Sequence, residues 1–232
     1  MIGGATFSAL VFPCVTLICF IFVDIIECWE RSTNAIPLTS MVFYGIIWAF
    51  NSVICCYHGS TYGYRADPVP THHGNIKVSL VKRSVPPQPF YLNLWVAMPI
   101  AGVIIFASIF VEFQYIWTSM WRSQLYGMFG TLFGVFSLLV FIVSEIGIVF
   151  TYLTLRAGNY NWQWRSFLIG ASGGICIGLY MDYYFFFVAN IELFAAELIY
   201  YIWSILVSFS LVIMCGMVSF LASFGFVKTM FE

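Results

Sequence analysis

Long apolar runs dominate the chain and are separated by short polar segments. A transmembrane helix needs about 20 mostly apolar residues, and a barrel strand would alternate apolar and polar positions. Six runs meet the helix length, and none of them alternates. The pattern therefore predicts an all-α, polytopic membrane helix bundle in a single transmembrane domain over residues 1–232. The predicted helices cover residues 5–26, 38–60, 95–117, 127–154, 167–189 and 198–227.

Composition supports a lipid environment. Hydrophobic residues make up 62% of the chain and charged residues only 8%, whereas a soluble domain is about a quarter charged. The formal net charge of −1 gives no field that would attract nucleic acid. The first apolar run has no basic stretch before it, so it is predicted to be a retained helix rather than a cleaved signal peptide. The expected partners are the lipid bilayer and other transmembrane proteins.

The basic residues predict the orientation of the chain. With the N-terminus in the cytosol, only Arg31 and Arg122 of the nine Lys and Arg residues fall on the other side. Cytosolic loops carry the excess of basic residues in membrane proteins. Both termini and the long loop 61–94 are therefore predicted to be cytosolic.

Four acidic residues lie at or inside the predicted helices: Asp24, Glu112, Glu145 and Asp182. A charged group costs about 2.5–3.5 kcal/mol at the centre of a bilayer on insertion scales. These carboxyls could line a polar cavity or proton-linked site, or they could be hydrogen-bonded groups that fix helix packing. Glu145 is the strongest functional candidate, because it is the deepest and Ser144 stands beside it.

Glycines recur every four residues on two of the predicted helices. Gly170, Gly174 and Gly178 form one smooth face on the fifth helix, and Gly130 and Gly134 do the same on the fourth. Small residues at this spacing let helix backbones approach closely. Two interpretations stay open: packing within this bundle, or a groove that accepts the transmembrane helix of another protein.

Just before the apolar run 167–189, Trp162, Trp164 and Arg165 lead into the fifth predicted helix. Tryptophan rings favour the membrane interface, and an arginine there can extend its charged end to water. This segment is predicted to anchor the helix at the interface.

No pattern of a metal site or an enzyme is present. His58, His72 and His73 have no suitably spaced carboxylate or thiol in their loop. The sequence holds no Gly-rich phosphate loop, no HExxH and no GxSxG. We therefore expect no catalytic residues, no metal, no cofactor and no enzymatic activity.

Several stretches resemble the transmembrane-nine superfamily, the nonaspanins. Residues 85–91, VPPQPFY, resemble the family's IPxQxxY segment before a helix, and Ser144-Glu145 resembles its SE motif. Residues 160–167, YNWQWRSF, resemble its tryptophan-rich signature YHWWWRSF, and residues 216–227, GMVSFLASFGFV, resemble its closing segment. Ala35-Ile36-Pro37 resembles its AxPF turn. The resemblance covers nearly the whole chain.

The resemblance implies the C-terminal six-helix portion of a nine-helix design. It also implies residence in Golgi or endosomal membranes and a part in sorting or surface delivery of membrane proteins, including binding of glycine-rich transmembrane helices. Asp182 stands where the family pattern is apolar. The family's lumenal domain and first three helices have no counterpart in these residues, which leaves open that another chain supplies them.

Two other functions remain as alternatives. The intramembrane carboxyls would suit a transporter or an ion or proton pathway, with Glu145 as its central residue. Helix faces that normally contact the three missing helices would suit a structural subunit of a larger membrane complex.

Overall fold

The computed structural model describes residues 2–29, 37–65, 84–121, 125–189 and 193–231. These residues form long helices and no strands. A short 3-10 helix precedes the third long helix at Phe90–Leu92, and a π-helix extends the fifth at Phe185–Ala189. The long helices are α1 (Ile2–Trp29), α2 (Leu38–Arg65), α3 (Leu94–Trp121), α4 (Leu125–Arg156), α5 (Trp162–Tyr184) and α6 (Phe194–Phe231).

Within this described part, all six helices are long and apolar enough to cross a membrane. The prediction of an all-α bundle of six transmembrane helices is confirmed. The orientation of the termini stays a prediction.

Several helix ends lie beyond the predicted boundaries. α2 continues to Arg65, so residues 61–65 are helical rather than part of the loop, and α5 begins at Trp162 rather than at residue 167. The apolar pattern ends where side chains reach the interface, but the backbone continues its hydrogen bonds for another turn or more. Residues 66–83, with His72 and His73, and the basic residues Arg31 and Arg122 lie outside the described residues.

The chain divides into two compact units, of which the first holds α1, α2 and the beginning of α6 up to Ile202. In this unit α1 packs on α2. The rings of Phe12 and Trp48 meet edge to face at a centroid distance of 5.7 Å. A Cβ placed on Gly45 would lie 2.7 Å from Leu17 Cδ1, so the glycine permits the close contact of the two helices. The single domain predicted from the sequence stays a prediction.

The second unit holds α3, α4, α5 and the rest of α6 from Trp203. α5 packs against the other helices of this unit. Gly173 faces α3, where a Cβ would lie 2.8 Å from Ile105 Cγ2. A small core of Ala97, Ala101 and Ile169 lies where α3 meets α5. The small residues let these helices approach closely, which is how membrane helices gain packing energy.

α4 ends in a glycine-capped turn that leads into α5. Gly158 adopts φ 75°, a left-handed conformation that favours glycine. The Asn159 amide donates to the carbonyl of Thr154 at 3.1 Å, and the Asn159 side chain accepts from the Asn161 amide at 3.0 Å. This closed turn fixes where Trp162 begins the next helix.

Candidate functional site

The glycine face of α5 is filled by α6. A Cβ on Gly174 would lie 2.5 Å from the Val212 nitrogen, and one on Gly170 would lie 2.6 Å from the Cys215 carbonyl oxygen. A Cβ on Gly178 would collide with the Ser208 hydroxyl. Gly170, Gly174 and Gly178 therefore serve packing within this chain, and their face offers no room for a helix from another protein.

α6 contributes its own row of small residues to this contact. The contacts of Gly174 with Val212 and of Gly178 with Ser208 show that α5 and α6 run antiparallel in register. The small side chains of α6 recur mostly every four residues along this contact, at Ser204, Ser208, Cys215, Ser219 and Ser223. This row was not predicted from the sequence, although it has the same four-residue spacing as the glycines.

A buried hydroxyl network joins α4, α5 and α6. The hydroxyls of Ser166 and Ser223 lie 2.6 Å apart, and Thr151 donates to the Ser223 hydroxyl at 2.9 Å. The Ser219 hydroxyl donates to the Ser166 carbonyl at 2.9 Å. All four residues are buried. The hydroxyls satisfy one another in an apolar interior, so the network holds the three helices in one register.

The tryptophan-rich start of α5 splits into a packed part and an exposed part. An Arg165 guanidinium nitrogen donates to the Leu92 carbonyl, which lies just before α3. Trp162 stacks on Phe220 of α6 at a centroid distance of 6.1 Å. Trp164 is 75% exposed. Arg165 and Trp162 therefore join helices, while Trp164 keeps the exposure that interfacial anchoring requires.

The proline-rich segment before α3 is fastened to the α4–α5 turn. Gln88 donates from its side-chain amide to the carbonyls of Pro86 and Ala157, at 3.0 and 3.2 Å. Pro86 lies against Gly158, where an added Cβ would be 3.3 Å from the proline Cγ. With the hydrogen bond from Arg165 to the Leu92 carbonyl, these contacts hold residues 86–92 against the α4–α5 turn and the start of α5.

The glycines of α4 have a different environment. Among the described residues, no heavy atom of another element lies within 4 Å of a Cβ added to Gly130 or Gly134, and both glycines are exposed. The same exposed face continues along α4 through Leu138, Phe141 and Glu145. We call Gly130, Gly134, Leu138, Phe141 and Glu145 the outward face of α4. Its steps of three and four residues place it on one side of the helix.

A groove between α3 and α4 borders the outward face. It has a volume of about 470 Å³, and its lining includes Val111, Glu112 and Tyr115 from α3 with Gly134 and Leu138 from α4. Gly134 leaves a gap between the side chains of the α4 wall, and Glu112 gives the α3 wall a carboxyl. This α3–α4 groove is therefore an open, mainly apolar channel with one acidic group.

The four acidic candidates lie on four different helices. Glu145 is exposed on α4, and the neighbouring Ser144 hydroxyl donates to the Val140 carbonyl at 2.7 Å, back into its own helix. Glu112 lines the α3–α4 groove, whereas Asp182 is half-buried in a cleft of α5 and α6. Asp24 is half-buried on α1 and has an interaction partner within the protein. Glu112 and Asp182 thus line two separate openings.

Six long apolar helices, held by small residues and buried hydroxyls, define a multi-pass α-helical membrane protein. The sequence profile described as Endomembrane protein 70 matches residues 4–194. The chain belongs to this family, as its resemblance to the transmembrane-nine superfamily predicted.

Curated relatives carry the corresponding name. Transmembrane 9 superfamily member 4 of Homo sapiens is 31% identical over 230 residues, which is 98% of this chain and 35% of the relative. Member 10 of Arabidopsis thaliana is 29% identical over 225 residues, or 97% of this chain and 35% of the relative. The chain thus spans about a third of the length of the relatives it matches. No solved structure matches the chain.

Proposed function

We propose that this protein is a non-enzymatic sorting factor that binds the transmembrane helices of other membrane proteins and directs their delivery. The proposal rests on the outward face of α4 together with the α3–α4 groove. Family membership supports a multi-pass membrane protein of this kind, and the open glycines supply a surface that suits a helix.

One observation carries the proposal: Gly130 and Gly134 have free space above their backbone. Membrane helices associate through close backbone packing, because lipid is as apolar as their side chains. Gly170, Gly174 and Gly178 show how tightly a helix packs on glycines of this spacing in the same protein. A second helix seated on Gly130 and Gly134 would gain the same kind of contact.

The position of Glu145 favours helix binding over transport. Glu145 is two residues from Gly147, which packs on Ser219 of α6, and two residues turn a helix by about 200°. Glu145 therefore points away from α6 and is exposed, on a side of α4 where a partner helix or lipid would lie. A carboxyl in that position gains most from a hydrogen-bond donor on an incoming helix.

The helix-binding role is tested by capture of a reporter that has one glycine-rich transmembrane segment. Detergent-solubilised full-length chain carrying Gly134→Leu is compared with the wild type. The leucine fills the α3–α4 groove, so we expect co-purification of the reporter to fall at least about tenfold, corresponding to about 1.4 kcal/mol.

Gly225→Leu is the matched control. Gly225 is an exposed helical glycine of α6 that also has nothing within 4 Å of an added Cβ, so the substitution changes volume and helix propensity equally. Capture by Gly225→Leu should equal that of the wild type. Equal capture by Gly134→Leu and Gly225→Leu would refute the proposed binding surface.

The transport alternative has its own measurement. Vesicles reconstituted with the chain are assayed for proton and cation flux beside vesicles without protein. We expect no difference, because Glu145 lies on the outward face. Flux that the wild type shows and Glu145→Gln loses would instead establish a pathway through this carboxyl.

The proposed compartment is the Golgi or endosomal membrane. This follows from the family resemblance and is checked by imaging the tagged chain against markers of both organelles. A sorting factor must reside where its cargo passes, so a chain found only at the plasma membrane would contradict the proposal.

A further inference from the structure

A second cleft lies between α5 and α6, at the end of α5 far from Trp162. Its volume is about 340 Å³. Its polar lining consists of Asp182, Ser204 and Ser208, and its apolar lining includes Leu179, Ile205 and Phe209. A site with mostly apolar walls and a few polar groups is the usual form of a small-molecule pocket.

Asp182 and Ser204 lie at one end of the cleft, which we call its mouth. The register of Gly178 with Ser208 brings Asp182 opposite Ser204. Asp182 is twenty residues after Trp162 on α5, about 30 Å along the helix, and lies inside the apolar span Trp162–Val188. From the mouth the cleft continues toward Trp162 between Leu179 of α5 and Ile205 and Phe209 of α6, whose side chains are exposed.

The ionisable lining of the cleft is acidic. Asp182 is the only ionisable group among its lining residues, which all lie within the described part of the chain. A carboxylate next to two hydroxyls accepts hydrogen bonds, and a primary ammonium offers three donors. Desolvating a lone carboxylate is costly, so a cation that enters the mouth is favoured by charge as well as by hydrogen bonding.

We infer that this cleft binds a long-chain amine, with the ammonium between Asp182 and Ser204 and the hydrocarbon chain along Leu179, Ile205 and Phe209. The gradient from polar mouth to apolar depth matches a molecule with a cationic head and one apolar tail. A phosphate beside the amine would bring a negative charge near the carboxylate and weaken the interaction. The site is separate from the α3–α4 groove and does not depend on the proposed sorting role.

The test measures binding to the full-length chain in phosphatidylcholine nanodiscs, with radiolabelled sphingosine as the long-chain amine. Competition with dodecylamine, dodecanol and phosphatidylethanolamine then separates the contributions of amine, tail and phosphate. We expect dodecylamine to compete, dodecanol to compete far more weakly, and phosphatidylethanolamine to compete less well than dodecylamine. Asp182→Asn should weaken sphingosine binding roughly tenfold, as loss of a partly desolvated charge pair does.

Two further variants test whether sphingosine binds in this cleft. Glu112→Gln removes a carboxyl from the α3–α4 groove and should leave sphingosine affinity unchanged. Ile205→Trp changes a side chain that is 66% exposed, so it blocks the cleft without disturbing helix contacts and should also abolish binding. Equal sphingosine affinity in the wild type and Asp182→Asn, retained affinity in Ile205→Trp, or amine binding no tighter than dodecanol would each overturn the inference.

Discussion

Two glycine faces with the same spacing have opposite environments in this protein. On α5, Gly174 lies so close to α6 that an added Cβ would be 2.5 Å from the Val212 nitrogen. On α4, Gly130 and Gly134 have no atom of another element within 4 Å of an added Cβ among the described residues. The same spacing therefore accompanies a face packed by a neighbouring helix on α5 and an open face on α4.

The comparison also separates stability from recognition. The α5–α6 contact is closed by the backbone and buried hydroxyls, so changes there should unfold or loosen the bundle. The outward face of α4 makes no such contacts, so changes there should leave the fold intact and alter only what binds.

Gly174→Leu should cause the largest loss. The new side chain would overlap the backbone of α6 at Val212, which cannot move as a flexible side chain can. Overpacking of this kind typically costs about 1–3 kcal/mol and occasionally more, and we expect the upper end. The measurement is the free energy of unfolding in mixed detergent and SDS micelles, with Gly225→Leu as the control. A stable, monodisperse Gly174→Leu protein would contradict the close contact with α6.

Arg165→Met should have the next largest effect. It keeps the apolar stem but removes the donor to the Leu92 carbonyl, whose residue is 1% exposed. Loss of a hydrogen bond from a charged group costs about 1.5–3 kcal/mol. The same unfolding assay applies, and Arg156→Met, at an exposed arginine that ends α4, should stay within about 0.5 kcal/mol of the wild type. Equal stability of the two variants would show that the bond to Leu92 is not stabilising.

Ser223→Ala should give a smaller loss. It removes the hydroxyl that links Ser166 to Thr151. Hydrogen bonds between membrane helices average about 0.6 kcal/mol and reach about 1.7 kcal/mol, and a two-bond link should lie near the upper value. Ser210→Ala is the control, because the Ser210 hydroxyl bonds the Leu206 carbonyl of its own helix. A Ser210→Ala loss as large as that of Ser223→Ala would count against a role of the network between helices.

Gly134→Leu should leave the unfolding free energy unchanged or raise it slightly. The site is open, and replacing a helical glycine gains up to about 1 kcal/mol of helix propensity. A loss approaching that of Gly174→Leu would mean that the α4 glycines also pack against this chain, and the contrast between the two faces would fail.

The sequence predicted the number and type of helices because hydropathy and length decide them. It misplaced helix ends such as Arg65 and Trp162, because hydropathy reports the hydrocarbon layer while the backbone helix continues through the interface. The spacing of the glycines left open whether each face packs within this chain. It could not say that Gly174 contacts α6 whereas no described residue of another helix contacts Gly134, because that depends on which helices become neighbours.

The polar groups were harder to interpret from the sequence. Ser166, Ser219 and Ser223 are common residues whose meaning appears only when three helices bring them together. Arg165 was expected to reach the interface, but a carbonyl of a segment 73 residues away accepts its hydrogen bond. Glu145 was predicted to be the deepest carboxyl, but its direction away from α6 could not be predicted, because it depends on the packing of Gly147 on Ser219.

Site-specific photo-crosslinking can show whether a partner helix lies in the α3–α4 groove. A photoreactive phenylalanine analogue replaces Leu138 in the α3–α4 groove or, as the control, Leu221 on α6, which is 59% exposed. The reporter with the glycine-rich transmembrane helix is present in the same membranes. We predict reporter adducts from position 138 and only background from position 221. No adduct from position 138, or equal yields from both positions, would contradict a helix-binding surface on α4.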